Sequence, residues 1–139
     1  MAVAHAERQF ASIVKVDTRK TDLSVVYTMD PVMVENNTNT LEQQLAEDDK
    51  YKVVNFDLEY ISGCSSHDHM VAVAQLCALH HMLVYHYCVD TKPCKRFARF
   101  VNSPDYRFAT VDTTNNLKVL KTSGLSCQKL VNIQCQYRV

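Results

Sequence analysis

The chain has 139 residues, 47% apolar and 22% charged, which fits one soluble globular domain over 1–139 with enough chain to bury a core without cross-links. Fifteen basic and fifteen acidic side chains cancel, which excludes a strongly basic nucleic-acid glove and leaves little repulsion to oppose self-association. No run approaches the roughly 18 apolar residues of a membrane span, and MAVAHAERQF is too short and polar for a signal peptide. The expected location is therefore cytoplasm or nucleus, with no membrane partner and with Cys64, Cys77, Cys88, Cys94, Cys127 and Cys135 reduced.

In chain order, FASIVKV at 10–16 and LSVVYT at 23–28 are rich in β-branched types and read as a hairpin across a polar turn. Pro31 and the Asn/Thr cluster at 36–40 are expected to end the second strand, with Asn39 or Thr40 capping a short helix over 41–48 whose apolar stripe is Leu41 and Leu45. Strands are predicted at 51–58, 70–77 and 82–87. The nearly continuous apolar run of the middle one suits a strand covered on both faces. A helix over 93–101 starts with Pro93 and turns Phe97 with Phe100 or Val101 inward. A strand at 106–111 leads to a helix at 114–122, with Leu117 and Leu120 on one side and Gly124 as its C-terminal cap. A last short strand is expected at 129–133. These elements make a mixed sheet with helices against it, an α/β fold.

The pattern VVNFDLEY carries the first candidate site. Side chains two apart on a strand share a face, so Asp57 and Glu59 stand together while Phe56 and Leu58 point to the core. Two adjacent carboxylates repel unless a cation or donors relieve them, and Mg²⁺ takes oxygen ligands of this kind. The bland alternative is a solvated strand end. His67 and His69, with Cys64, have the residue types for zinc, but their spacing fits a polar turn better. Cys64 beside His67 is also conceivable as a thiol nucleophile, without a third group to orient it. His80, His81 and His86 sit among apolar residues and read as hydrogen-bonded, partly buried histidines. Tyr60 points away from Glu59 as a possible stacking surface. Gly63 and Gly124 are the only glycines, too few for a phosphate-binding loop.

VVNFDLEY, then VAVAQLC, then LVYHY resembles the DEDD-type 3′–5′ exonuclease domains of ribonuclease H-like fold. It is more closely similar to the small Werner-helicase-like exonuclease domain proteins of plants. The matching residues are Asp57, Glu59, Gln75 and Leu76, and FARFVNSPDYRFATVDTTNNLKVLKTSGL resembles the region of the family's second motif, so that the likeness runs over about 10–133. The resemblance implies a ribonuclease H-like mixed sheet with flanking helices and a metal site at Asp57 and Glu59. It also implies departures. The second-motif Asp is matched by Asn116, Asp112 reaches that role only in a shifted register, and Asn132-Ile133 stands where an Asp-Leu pair is common. The third-motif helix, with its His or Tyr and final Asp, is not reached before Val139, so a C-terminally truncated form is expected.

Two divalent ions need several carboxylates, and Asn offers only a neutral oxygen. The leading expectation is a non-catalytic, exonuclease-like protein with a regulatory role, acting by binding protein or nucleic acid and holding no cofactor. The alternative is a Mg²⁺- or Mn²⁺-dependent 3′–5′ exonuclease using two metals, its site completed by a dimer mate or partner. A sheet face left without its helices favours a homodimer, domain-swapped in one version, or a protein partner. Nucleic acid is the weaker partner expectation.

Overall fold

The computed structural model describes residues 10–16, 21–47, 52–62, 69–87 and 94–133. Strands β1 (Phe10–Val16) and β2 (Thr21–Thr28) form the expected antiparallel hairpin. Helix α1 (Pro31–Glu47) follows. A meander of β3 (Val53–Ser62), β4 (His69–Ala78) and β5 (His81–His86) comes next. Helix α2 (Lys95–Val101), β6 (Arg107–Thr110), helix α3 (Thr113–Thr122) and β7 (Leu130–Asn132) complete the order. The seven strands form one mixed sheet in the order β1-β2-β5-β4-β3-β6-β7. β3 is antiparallel to β4 and parallel to β6, which places the carboxylate strand inside the sheet.

The three described helices lie on one face. Val54, Phe56, Leu58, Leu76, Leu83 and Phe108 from the strands share a single buried cluster with Val34 and Leu41 of α1, Phe97 and Phe100 of α2, and Val119 and Leu120 of α3. Phe97 turns inward as expected for α2, together with both Phe100 and Val101 rather than one of them, and the expected start at Pro93 lies outside the described residues. β4 departs from the expectation of two covered faces: Ala74, Leu76 and Ala78 are buried, while Val73, Gln75 and Cys77 on the other side are only half-buried. Its long apolar run has another cause as well. A bulge between Glu59 and Tyr60 shifts the register, so that Glu59 pairs with Val73 but Tyr60 with Val71. Ala72 is the extra residue, and its carbonyl accepts from Tyr87 N at 2.8 Å. Val71 is thereby buried although Val73, two residues on, faces the other way.

The first helix is corrected from 41–48 to Pro31–Glu47. Pro31 opens it rather than ending the strand before it, with Asp30 Oδ1 accepting from Val32 N at 2.9 Å. The Asn/Thr cluster lies inside it. Asn37 Nδ2 donates to Met33 O at 2.7 Å, Thr38 Oγ1 to Val34 O at 2.8 Å and Thr40 Oγ1 to Asn36 O at 3.1 Å. These side chains close onto carbonyls one turn back instead of breaking the helix. Arg96 of α2 ties to α1 through a salt bridge to Glu42 and a 3.0 Å bond to Asn39.

Of the clustered histidines, His81 meets the expectation most fully. It is buried, and its Nε2 lies 2.8 Å from Asn37 Oδ1. Asn37 donates through its amide nitrogen elsewhere, so its oxygen accepts and His81 Nε2 carries the proton. Burial holds the imidazole below its ordinary range. As pH falls through about 6.5 the unfolded chain takes up a proton that folded His81 resists, so stability falls with pH. The urea midpoint is expected to drop between mildly alkaline and mildly acidic buffer, and His81→Gln to flatten that dependence. An unchanged slope in His81→Gln would show that His81 is not its source. His80, by contrast, is exposed in the turn before β5.

Candidate functional site

The alternation in VVNFDLEY holds. Val54, Phe56 and Leu58 are buried, and Asn55, Asp57 and Glu59 are exposed on the sheet face opposite the described helices, which among the described residues is open. Asp57 pairs across to Gln75, and Glu59 to Val73. Asp57, Asn55, Gln75, Cys77, Thr110 and Val111 line a shallow cleft of about 300 Å³ on this side. One oxygen of Asp57 accepts from Leu58 N at 3.0 Å, a local bond that fixes its orientation. Cys77 is a free thiol, raised above its ordinary pKa by burial and so weakly nucleophilic. Cys94 and Cys127 are also free, with burial lifting Cys127 to about 11.

Asn116 reaches this cleft only indirectly. It is buried on α3 and donates through Nδ2 to Thr110 Oγ1 at 2.9 Å and to Val111 O at 2.8 Å. Both acceptors belong to residues that line the cleft. The amide therefore braces the end of β6 from behind. Asp112 is the N-cap of α3, in the left-handed conformation at φ 59°, and its carboxylate accepts from Asn115 N at 3.4 Å. It is committed to the helix end. Tyr60 is exposed, and its hydroxyl accepts from Asn115 Nδ2 at 2.5 Å.

Of the two leucines expected on one side of α3, only Leu120 turns inward. Leu117 is exposed, and Asn116, Val119 and Leu120 face the sheet. Gly124 does follow the helix in the left-handed region at φ 76°. Among the described residues no three His, Cys, Asp or Glu side chains stand close enough to share an ion. The expectations for Cys64 and His67 lie outside the described residues. His69 begins β4, with its side chain likewise outside the description. Sequence reading missed Thr110 as the partner of Asn116. Its only signal was a threonine ending a strand six residues before an asparagine.

No family model matches the sequence, and no curated protein matches it either. Solved structures do. An EXD2 exonuclease domain soaked in Mg and GMP superimposes with a TM-score of 0.65 at 13% identity, covering 81% of this chain and 57% of that one. The same domain soaked in Mn and GMP gives 0.65 at 12% identity over 80% and 56%. The catalytic core of RRP6 from Trypanosoma brucei gives 0.60 at 13% over 76% and 28%.

The fold is ribonuclease H-like. The chain spans little more than half the length of the EXD2 domains it matches. At this identity the likeness establishes architecture, with Asp57 and Glu59 on an interior strand of the ribonuclease H-like sheet.

Proposed function

We propose that this protein is a non-catalytic, exonuclease-like binding module with a regulatory role, exerted through contacts to itself, to another protein or, more weakly, to nucleic acid. The observation that carries the reading is Asn116. At the position matching the second-motif Asp stands a neutral amide whose nitrogen is already bonded to Thr110 and Val111. Asp57 and Glu59 alone give a divalent ion two side-chain ligands, and the two-metal mechanism needs more charge than that. The relation to Werner-like plant proteins is part of the same proposal, supported by Asp57-Leu58-Glu59 and Gln75-Leu76.

The second reading is a Mg²⁺- or Mn²⁺-dependent 3′–5′ exonuclease completed by a dimer mate or a partner. Its support is the shared face of Asp57 and Glu59 and the Mg and Mn soaks of the EXD2 domains. Were the site completed, Asp57 and Glu59 would hold the ion, which would activate water and stabilise the leaving oxygen. Labelled single strands and recessed-end duplexes with Mg²⁺ or Mn²⁺ separate the readings. The expected result is no release of nucleotide and no difference between the parent chain and Asp57→Ala. Metal-dependent cleavage that disappears in Asp57→Ala would overturn the first reading.

A further inference from the structure

Strand pairing arranges the open sheet face into three cross-strand rows. Asn55 stands beside Ala109 and Cys77, Cys77 beside Met82, and Met82 beside Val25. The next row runs Asp57, Gln75, Val84, Tyr27. The third runs Glu59, Val73, His86. Tyr27 and His86 confirm the shared face, with ring centroids 5.9 Å apart. The face is thus divided by charge. Among the described residues both carboxylates lie on β3, the middle is apolar with one amide, and the β5–β2 side carries an imidazole and a phenol without a carboxylate.

From this division we infer that the open face is the contact surface of a twofold homodimer, packed sheet on sheet with the axis running along β4. The inference rests on the proposed function, in which this face binds rather than catalyses. An axis parallel to the strands keeps each residue at its own height and exchanges left for right. β3 then lies over the partner's β5, so Glu59 meets the partner's His86, and Asp57 meets the partner's Val84 with the partner's Tyr27 one strand away. Asn55 meets the partner's Met82. β4 crosses its own copy, which sets Gln75 against the partner's Gln75, where two amides can bond reciprocally. An axis across the strands would instead lay β3 on β3 and stack carboxylate pair on carboxylate pair, and like charges opposed at an interface cost several kcal/mol. Charge therefore selects one orientation.

Area sets the strength. Five strands about 4.8 Å apart, each contributing about five residues at about 3.4 Å, give a patch of roughly 400 Å² on each protomer. The pair covers roughly 800 Å² in projection, near the ~1,000 Å² at which specific interfaces begin. The dimer is accordingly micromolar in strength. It closes over Asp57 and Glu59, so the face cannot hold a nucleic-acid strand and a second copy at once.

Cys77 supplies the test. It faces the partner's Cys77 next to the axis, but packed sheets lie about 10 Å apart, too far for a direct disulfide and within reach of a short bis-maleimide. Burial holds the Cys77 thiol above its ordinary pKa, so the cross-linking is run at alkaline pH, where the thiolate forms, and at micromolar concentration it is expected to give a dimer whose Cys77–Cys77 link is absent in Cys77→Ser. Sedimentation is expected to show His86→Glu weakening association by about tenfold or more, and the double variant Glu59→Lys with His86→Glu restoring it. A chain that stays monomeric up to ~100 μM, far above the dissociation constant expected of such an interface, overturns the inference. So does a double variant no stronger than His86→Glu alone. A Cys77-linked dimer that also cleaves DNA sinks only the functional proposal, and a monomer without nuclease activity sinks only the dimer.

Discussion

Phe108→Ala is expected to destabilise the fold by about 3–5 kcal/mol, a sizeable part of the stability of a domain this size. Phe108 is fully buried on β6. It stands edge-on to Phe56 of the carboxylate strand at 5.8 Å and to Phe100 of α2 at 5.4 Å. The substitution leaves a cavity in the middle of the cluster and removes both edge-to-face contacts at once. Urea unfolding at neutral pH measures the effect. A loss below ~1 kcal/mol would mean that the three rings do not pack as one unit.

Asn116→Asp recreates the acid of the resembled second motif. It is expected to lower stability by about 2–4 kcal/mol and to generate no cleavage. Asn116 is 6% exposed, and its Nδ2 donates to two oxygens. A carboxylate there faces the Val111 carbonyl as oxygen against oxygen in a poorly solvated place, and the Thr110 hydroxyl can donate to it only by giving up its 3.4 Å bond to Val111 O. Protonation is then favoured, and the folded pKa of the new acid rises above the unfolded value of about 3.9. The deficit against the parent chain is therefore full above the folded pKa and shrinks as pH falls toward the unfolded one. A variant as stable as the parent chain would refute this account, and Mn²⁺-dependent cleavage by it would show that a carboxylate at this position is enough to complete the site.

The two substitutions touch features that were unequally legible in the sequence. The sheet was open to reading because its signal is local. FDLE alternates, and burial follows that alternation residue by residue. Helix α1 was half hidden. Val34, Thr38, Leu41 and Leu45 keep helical spacing and are all buried, yet Thr38 and Asn37 occupy slots where a periodicity reading looks for apolar side chains. Their bonds to their own helix and to His81 make those slots habitable. The same ambiguity reversed α3. Leu117 and Leu120 have the spacing of one face, but so do Asn116, Val119 and Leu120, and only the acceptors at Thr110 and Val111 decide between them. Val71 was hidden differently. A bulge changes the parity of β4, and no single-strand pattern reveals its position.

The candidate site was legible to the same degree. Asp57 and Glu59 follow from the period of a strand. The role of Asn116 follows from contacts between elements far apart in the pattern, and resemblance alone placed it at a ligand position.

Helix α3 is fastened at both ends to strands on either side of β3. Asn116 holds the end of β6, and Ser123 Oγ accepts from Val71 N of β4 at 2.8 Å while donating to Val119 O at 2.9 Å. The helix thus acts as a crossbar beneath the carboxylate strand. Neither neighbour can slide along β3 without breaking a bond to the bar. Asp57 and Glu59 are consequently carried on a stiffened span, and whatever docks on the opposite face meets a spacing set in advance rather than one that must be ordered on contact.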